Sequence, residues 1–183
     1  MLGEIICIFR VNSENKKSKK LAIQRLVLDT ITDDDYELIA IHCSLPSYRL
    51  AFILNKYLDL KLFRTKEDIN FEFDDLSIGF PLYQFDDQFQ YNTYSLLANK
   101  FRTKIASQDP VSEGLFSQTE DAYVTKYLIP ELKNVDYFLK VETESSMFSS
   151  KTLLTQLLTV SQIVTAYQVE HKELKSKNNL IFE

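Results

Sequence analysis

Val135-Asp136-Tyr137-Phe138-Leu139-Lys140-Val141-Glu142 and the residues that follow it to Val169 decide the fold. Residues 135–142 read as a strand. A polar stretch then leads to Phe148 and Ser149, where a hydroxyl can cap a helix while Phe148 packs on Leu153 across the first turn. Leu153, Leu154, Leu157 and Leu158 recur at helical spacing and supply an apolar stripe. In Ile163–Val169, Ile163, Thr165, Tyr167 and Val169 alternate against Val164, Ala166 and Gln168, the period of a second strand. Strand, helix and strand in this order make a crossover unit, expected to be right-handed.

Outward from this unit, a strand–helix pair stands early in the chain. Leu21–Asp29 alternates, with Leu21, Ile23, Arg25 and Val27 on one face, and the acidic run Asp33–Asp35 marks a turn. Glu37–Cys43 is apolar on both faces, as a central or doubly covered strand is. Ser44 ahead of Pro46 predicts a capped helix to about Leu58. Its inner stripe is Leu50, Ala51, Leu54, Tyr57 and Leu58, widened by Ile53, with Arg49, Asn55, Lys56 and Asp59 in water.

Between the two units the texture changes. Lys61–Phe63, Asn70–Phe73, Phe80–Phe85 and Tyr94–Phe101 are short, aromatic and separated by acidic or polar turns, a pattern that suits antiparallel strands. Pro81 belongs at an edge or a strand start, and Ser107–Glu120 reads as an exposed loop. The expected class is α+β: a mostly antiparallel sheet with two helices packed on one face, an expanded ferredoxin-like sandwich. Residues 1–18 are expected to be an N-terminal extension or linker and 19–183 a single domain. The apolar trio Leu180, Ile181 and Phe182, which ends a charged tail, is expected to dock on the body.

The nine residues before and into the decisive strand spell Ile129-Pro130-Glu131, three further positions, then Val135-Asp136-Tyr137. Read from the residues, this is a hairpin between Ala122–Ile129 and Val135–Glu142. Ile129, Val135 and Tyr137 would fill the core, and Glu131 and Asp136 would tie the turn. A functional reading makes Glu131 and Asp136 an acid–base or ligand pair beside Tyr137, but no neighbouring histidine supports it. The string resembles the signature of the IPExxxVDY family, a bacterial family of Bacteroidota type without an established activity. The resemblance implies a bacterial source, covers most of the chain after its N-terminal extension with this one string as its specific motif, and assigns no catalytic residue.

Charge and composition narrow the function classes. The formal net charge of the 183 residues is -5. Residues 1–25 hold six bases against two acids, so 15 bases and 24 acids remain for the rest. An acidic body repels phosphate backbones, and nucleic acid is a disfavoured partner outside the basic run Lys16–Lys20. Gly3, Gly79 and Gly114 stand too far apart for a phosphate loop. Two cysteines, Cys7 and Cys43, are too few for a disulfide framework or a zinc site, and reduced thiols suit a cytoplasmic location. No stretch reaches membrane-spanning length. His42 reads as a structural strand residue and His171 as solvated; neither has carboxylates at metal-ligand spacing. No catalytic residue, cofactor or metal is expected.

What remains is the aromatic load. Phe80, Tyr83, Phe85, Phe89 and Tyr91 lie in a stretch, Phe71–Tyr94, without a single Lys or Arg. A base-stacking platform needs basic surroundings, so a protein-binding sheet edge fits these residues better than RNA. The expected function is a non-catalytic protein-interaction or regulatory accessory module, with self-association through that edge as one use of it. An RNA- or ribosome-associated factor using Lys16–Lys20 and Lys100–Lys104 is the first alternative. A small enzyme or ligand-binding domain is the second.

Overall fold

The structure is a computed structural model, and it describes residues 36–73, 76–105 and 122–182. The predicted strand Leu21–Asp29, the run Lys16–Lys20, Cys7 and the loop Ser107–Glu120 lie outside the described residues. The strands are β1 (Tyr36–His42), β2 (Phe63–Arg64), β3 (Ile69–Phe73), β4 (Leu76–Phe80), β5 (Leu82–Asp87), β6 (Asn92–Ala98), β7 (Lys100–Ile105), β8 (Ala122–Tyr127), β9 (Tyr137–Thr143) and β10 (Thr165–Val169). The helices are α1 (Ser47–Leu58) and α2 (Ser150–Leu158). The class is α+β. A six-stranded sheet runs β10-β1-β9-β6-β5-β2 with every neighbouring pair antiparallel, and β3–β4 and β7–β8 are separate two-stranded pairs.

Because β9 and β10 are both antiparallel to β1, they run parallel to each other, and α2 carries the crossover between them. Ser149 is the N-cap of α2 and accepts from the Thr152 amide. Phe148 packs on the core cluster that holds Leu153 and Leu157. At α1 the expectation fails: Pro46 is the N-cap, no side chain caps the helix, and Ser44 is exposed. The helix ends where Asp59 turns left-handed. Asn55 then clasps the exit, donating to the Leu62 carbonyl and accepting from its amide. Both inner stripes are narrower than the spacing predicts. Tyr57 and Leu158, at the far ends of their helices, are about half exposed.

The sheet buries both faces. On one, Ile39, Ile41, Leu96, Leu139 and Val141 meet Leu50 and Leu54 of α1 and Leu153 and Leu157 of α2. On the other, Leu38, Ala40, Leu97 and Phe138 meet Ile78 and Phe80 of β4, Leu128 and Ile129, and Leu180 of the C-terminal tail. Strands covered on both sides are mostly apolar on both faces, which is why Leu38, Ile39, Ala40 and Ile41 of β1 run without a polar residue.

Three sequence expectations are corrected here. β8 pairs with β7 and not with the strand after the signature, so Ala122–Ile129 and Val135–Glu142 are not a hairpin. A 3-10 turn at Pro130–Leu132 instead carries the chain to the sheet centre, where β9 lies between β1 and β6. The run Tyr94–Phe101 is two strands, broken at Asn99. His171 is not solvated; its ring stacks on Tyr36 with centroids 4.0 Å apart.

The tail docks around a buried lysine. Lys140 of β9 is 3% exposed, and its ammonium donates to the Leu180 carbonyl at 2.9 Å and pairs with Glu142. The rings of Tyr36 and Phe182 lie 4.6 and 4.8 Å from that nitrogen. A buried ammonium is costly unless its donors are engaged, so these contacts and the tail depend on each other. Leu180 is fully buried, whereas Ile181 is about half exposed. Leu180→Ala should therefore lower unfolding stability by about 2–4 kcal/mol in denaturant melts, and Ile181→Ala by less than about 0.5 kcal/mol. Equal losses would contradict this docking.

Candidate functional site

The signature meets the β6–β7 junction, the link from β1 to α1 and the C-terminal tail. Ile129 and Val135 are buried, and between them Pro130 opens the 3-10 turn. The turn closes on Asn99, a fully buried residue at the β6–β7 break. The Asn99 side chain donates to the Leu132 carbonyl at 2.8 Å and to the Val135 carbonyl at 3.0 Å, and it accepts from the Ile129 amide at 2.8 Å. Its backbone amide donates to the Asp136 carbonyl, and its carbonyl accepts from Leu128. One side chain that both donates and accepts replaces the ladder bonds which a turn between two sheets would lack.

The acidic and phenolic members of the string reach further. Asp136 accepts from the Cys43 amide at 3.1 Å and pairs with the Lys100 ammonium at 2.6 Å. The Tyr137 hydroxyl donates to the Leu45 carbonyl, so both residues hold the chain between β1 and α1. Glu131 accepts from the amide and the hydroxyl of Ser176 in the tail. Slight burial opposes ionisation of Glu131, but these bonds and those of nearby backbone amides outweigh it and hold its carboxyl below the ordinary value. Glu131 and Asp136 do not converge on a common point as an acid–base pair; each is engaged with a different segment. Cys43 is buried and free.

Asn99 had no place among the sequence candidates. Its signal was an amide, poor in strands, inside the strand-like run Tyr94–Phe101.

The predicted interaction edge is divided by the fold. Phe80 is fully buried between the rings of Phe71 and Phe101, and Tyr83 is buried with its hydroxyl 3.5 Å from that of Ser47. Neither belongs to a surface, because β4 and β5 contribute them to the two cores and β2 covers the outer side of β5. The aromatic stacking platform is thus interior at these positions. Phe85 is half-buried and stacks on Tyr94 at 6.1 Å. Phe89 is 96% exposed and Tyr91 is exposed, both at the tip of the β5–β6 hairpin.

A cleft of about 660 Å³ lies beside that tip, between the end of α1, the hairpin and the start of α2. Phe85 and Tyr94 line it with Phe89, Met147 and Phe148, and Asp59, Asp86 and Asp87 supply carboxylates against Lys61, the one base in its lining among the described residues. Asp87 is already engaged, accepting from the Phe89 and Gln90 amides and shaping the tip. Tyr91 holds a left-handed conformation, φ 54°, which strains a residue of this size. Burial, and the charge of Asp87, raise the Tyr94 phenol above its ordinary value, against a hydrogen bond from Asn92 that lowers it. The Asn92 side-chain oxygen Oδ1 is itself buried without a hydrogen bond. No histidine lines the cleft. Among the described residues no group of three His, Cys, Asp or Glu is placed to hold a metal, and no helix is long and apolar enough to cross a membrane.

Comparison of the chain with family models, with curated proteins and with solved structures finds no match.

Two stability predictions follow from the signature's geometry. Asn99→Ala leaves the Ile129 amide and the Val135 carbonyl buried without partners and should cost about 2–4 kcal/mol. Asn99→Asp should be no better, because a carboxylate would face two carbonyl oxygens; recovery by Asp would refute the assignment of roles. Burial, with the nearby Cys43, Asp136 and Tyr83, pushes the Tyr137 phenol from 10.0 up to about 12. The folded protein then keeps a proton that the unfolded chain releases, so this stability is complete below about pH 10 and is lost as pH rises toward 12. Tyr137→Phe should lower the neutral melting temperature and flatten that alkaline decline, measured by melts across the range.

Proposed function

We propose that this protein is a non-catalytic, cytoplasmic protein-interaction module, and that it binds its partner in the cleft at the β5–β6 tip. The observation that carries this reading is the pairing of solvent-exposed Phe89 and Met147, 96% and 91% exposed, with a rim of carboxylates. Exposed large apolar side chains beside a concave, charged rim suit a partner segment that is basic and carries an apolar anchor. Such a partner would approach faster and bind more tightly at low salt. The cleft is open and lacks a histidine, which favours binding over acid–base chemistry.

The signature enters this reading as architecture. Its polar atoms bind neighbouring segments of the same chain, so Glu131→Ala should disturb the tail more than any partner. The string at 129–137 supports kinship with the IPExxxVDY family. The strand order β10-β1-β9-β6, with helices after β1 and β9, supports the expanded ferredoxin-like description.

The test is capture of partners from the source cytoplasm by the wild-type chain and by a variant carrying Phe89→Ser, Met147→Ser and Asp86→Lys. A nuclease-resistant protein held by the wild type and lost from a variant that melts normally is the expected result. Retention by the variant would remove the cleft from the mechanism, and loss of all cargo on nuclease treatment would replace the proposal with an RNA-associated role.

A further inference from the structure

The two edges of the six-stranded sheet differ in kind. β2, at one edge, has only two residues, and its Arg64 is tied back to Asp68 at 2.8 Å. A short, charged edge strand is a common protection against unwanted pairing. β10, at the other edge, has five residues, pairs with β1 alone among the described residues, and contains no charge and no proline. Tyr167 does not shield the edge; its ring stacks on His42 of the neighbouring strand with centroids 5.8 Å apart.

The β10 edge belongs to a larger surface poor in charge, where Glu37 of β1 is the carboxylate that accepts from the Gln168 side chain. From Thr152 to Val169, eighteen consecutive residues include no Asp, Glu, Lys or Arg, in a chain that is 26% charged. The run spans most of α2 and all of β10, which pack on each other. Much of it faces outward, including Thr155, Gln156 and Gln162, and Val164 is 81% exposed, Leu158 51% and Tyr167 39%. The water-facing side of α1, by contrast, carries Arg49 and Lys56.

We propose that β10 is a dimerisation edge, and that its occupant is β10 of a second copy of this chain, paired antiparallel about Tyr167. A two-fold axis makes one patch its own complement. Thr165 then lies opposite Val169, Ala166 opposite Gln168, and Tyr167 opposite itself, so partners share a sheet face. The first charge beyond the strand, Glu170, meets Val164 and not another carboxylate. Two chains of formal charge -5 repel in most orientations, and least where the surface is neutral. The pairing doubles the sheet, brings the two α2 helices side by side on the same face, and covers Leu158 and Val164. The strand pairing is made at β10, away from the β5–β6 tip, although Thr152 and Gln156 of α2 belong both to the neutral run and to the lining of the cleft.

The experiment is sedimentation equilibrium of the full chain over a wide concentration range, with Tyr167→Lys and Val164→Lys as variants. The wild type should pass from 21.4 kDa to twice that mass as concentration rises. Each variant should weaken the dimer about tenfold or more while melting normally when dilute. As a check that does not depend on the lysine variants, Tyr167→Cys should form a disulfide-linked dimer on mild oxidation and Phe89→Cys should not. A wild type that stays monomeric, as it would if the edge served a strand of another protein, overturns the proposal. So does a dimer that both lysine variants leave unchanged, or equal cross-linking of the two cysteine variants.

Discussion

The fold turns on a single buried amide. At Asn99 the chain leaves the central sheet for the β7–β8 pair, and at Pro130–Leu132 it returns to it. Each exit exposes backbone groups that no ladder can satisfy. The Asn99 side chain and backbone engage Leu128, Ile129, Leu132, Val135 and Asp136 together, so departure and return are joined at one point. A backbone group buried without a partner costs about as much as a lost hydrogen bond, and here several would be orphaned at once. β9 can occupy the middle of the sheet because this junction holds its start.

From that junction the signature spreads its bonds outward. Asp136 and Tyr137 hold the segment between β1 and α1, and Glu131 holds the tail near Ser176. The Asn179 side chain donates to the Leu128 carbonyl, and the Lys140 ammonium donates to that of Leu180. The C-terminal tail is thus a structural layer over the sheet face opposite the helices. A short string of residue types in fixed order is what such a junction requires: apolar side chains to bury, a proline to start the turn, and acceptors aimed at separate amides. Its polar atoms hold neighbouring segments of the chain in place, and the surfaces we propose for partners lie elsewhere.

Those surfaces are a cleft and an edge. The cleft combines apolar side chains left in water with carboxylates not fully engaged by the chain itself, at the tip of a hairpin that also carries a strained tyrosine. The edge combines a strand that pairs with β1 alone among the described residues with a run, Thr152–Val169, that contains no charged residue. They differ in the recognition they suit. We propose the charged, concave cleft for an unlike partner and the β10 edge for a second copy of the chain.

Much of the architecture was legible in the residues. The leucines of α2, the cap at Ser149, the doubly apolar β1 and the apolar end of the tail each follow from local spacing and the cost of exposing apolar surface. Reading failed where a residue's role is set by something distant in sequence. Alternation shows that 122–127 and 137–143 are strands, yet it says nothing of which strand each will pair with, and the signature was misread as a hairpin for that reason. Phe80 and Phe89 are the same residue type in the same aromatic stretch, but one is sealed between two rings and the other stands in water. The sequence by itself determined the elements, their class and their apolar faces, because those depend on periodicities of a few residues. Only the tertiary structure decided strand order, the part played by Asn99 and which aromatics remain at the surface, because these depend on contacts beyond the reach of local periodicity, 30 or more positions apart at Asn99.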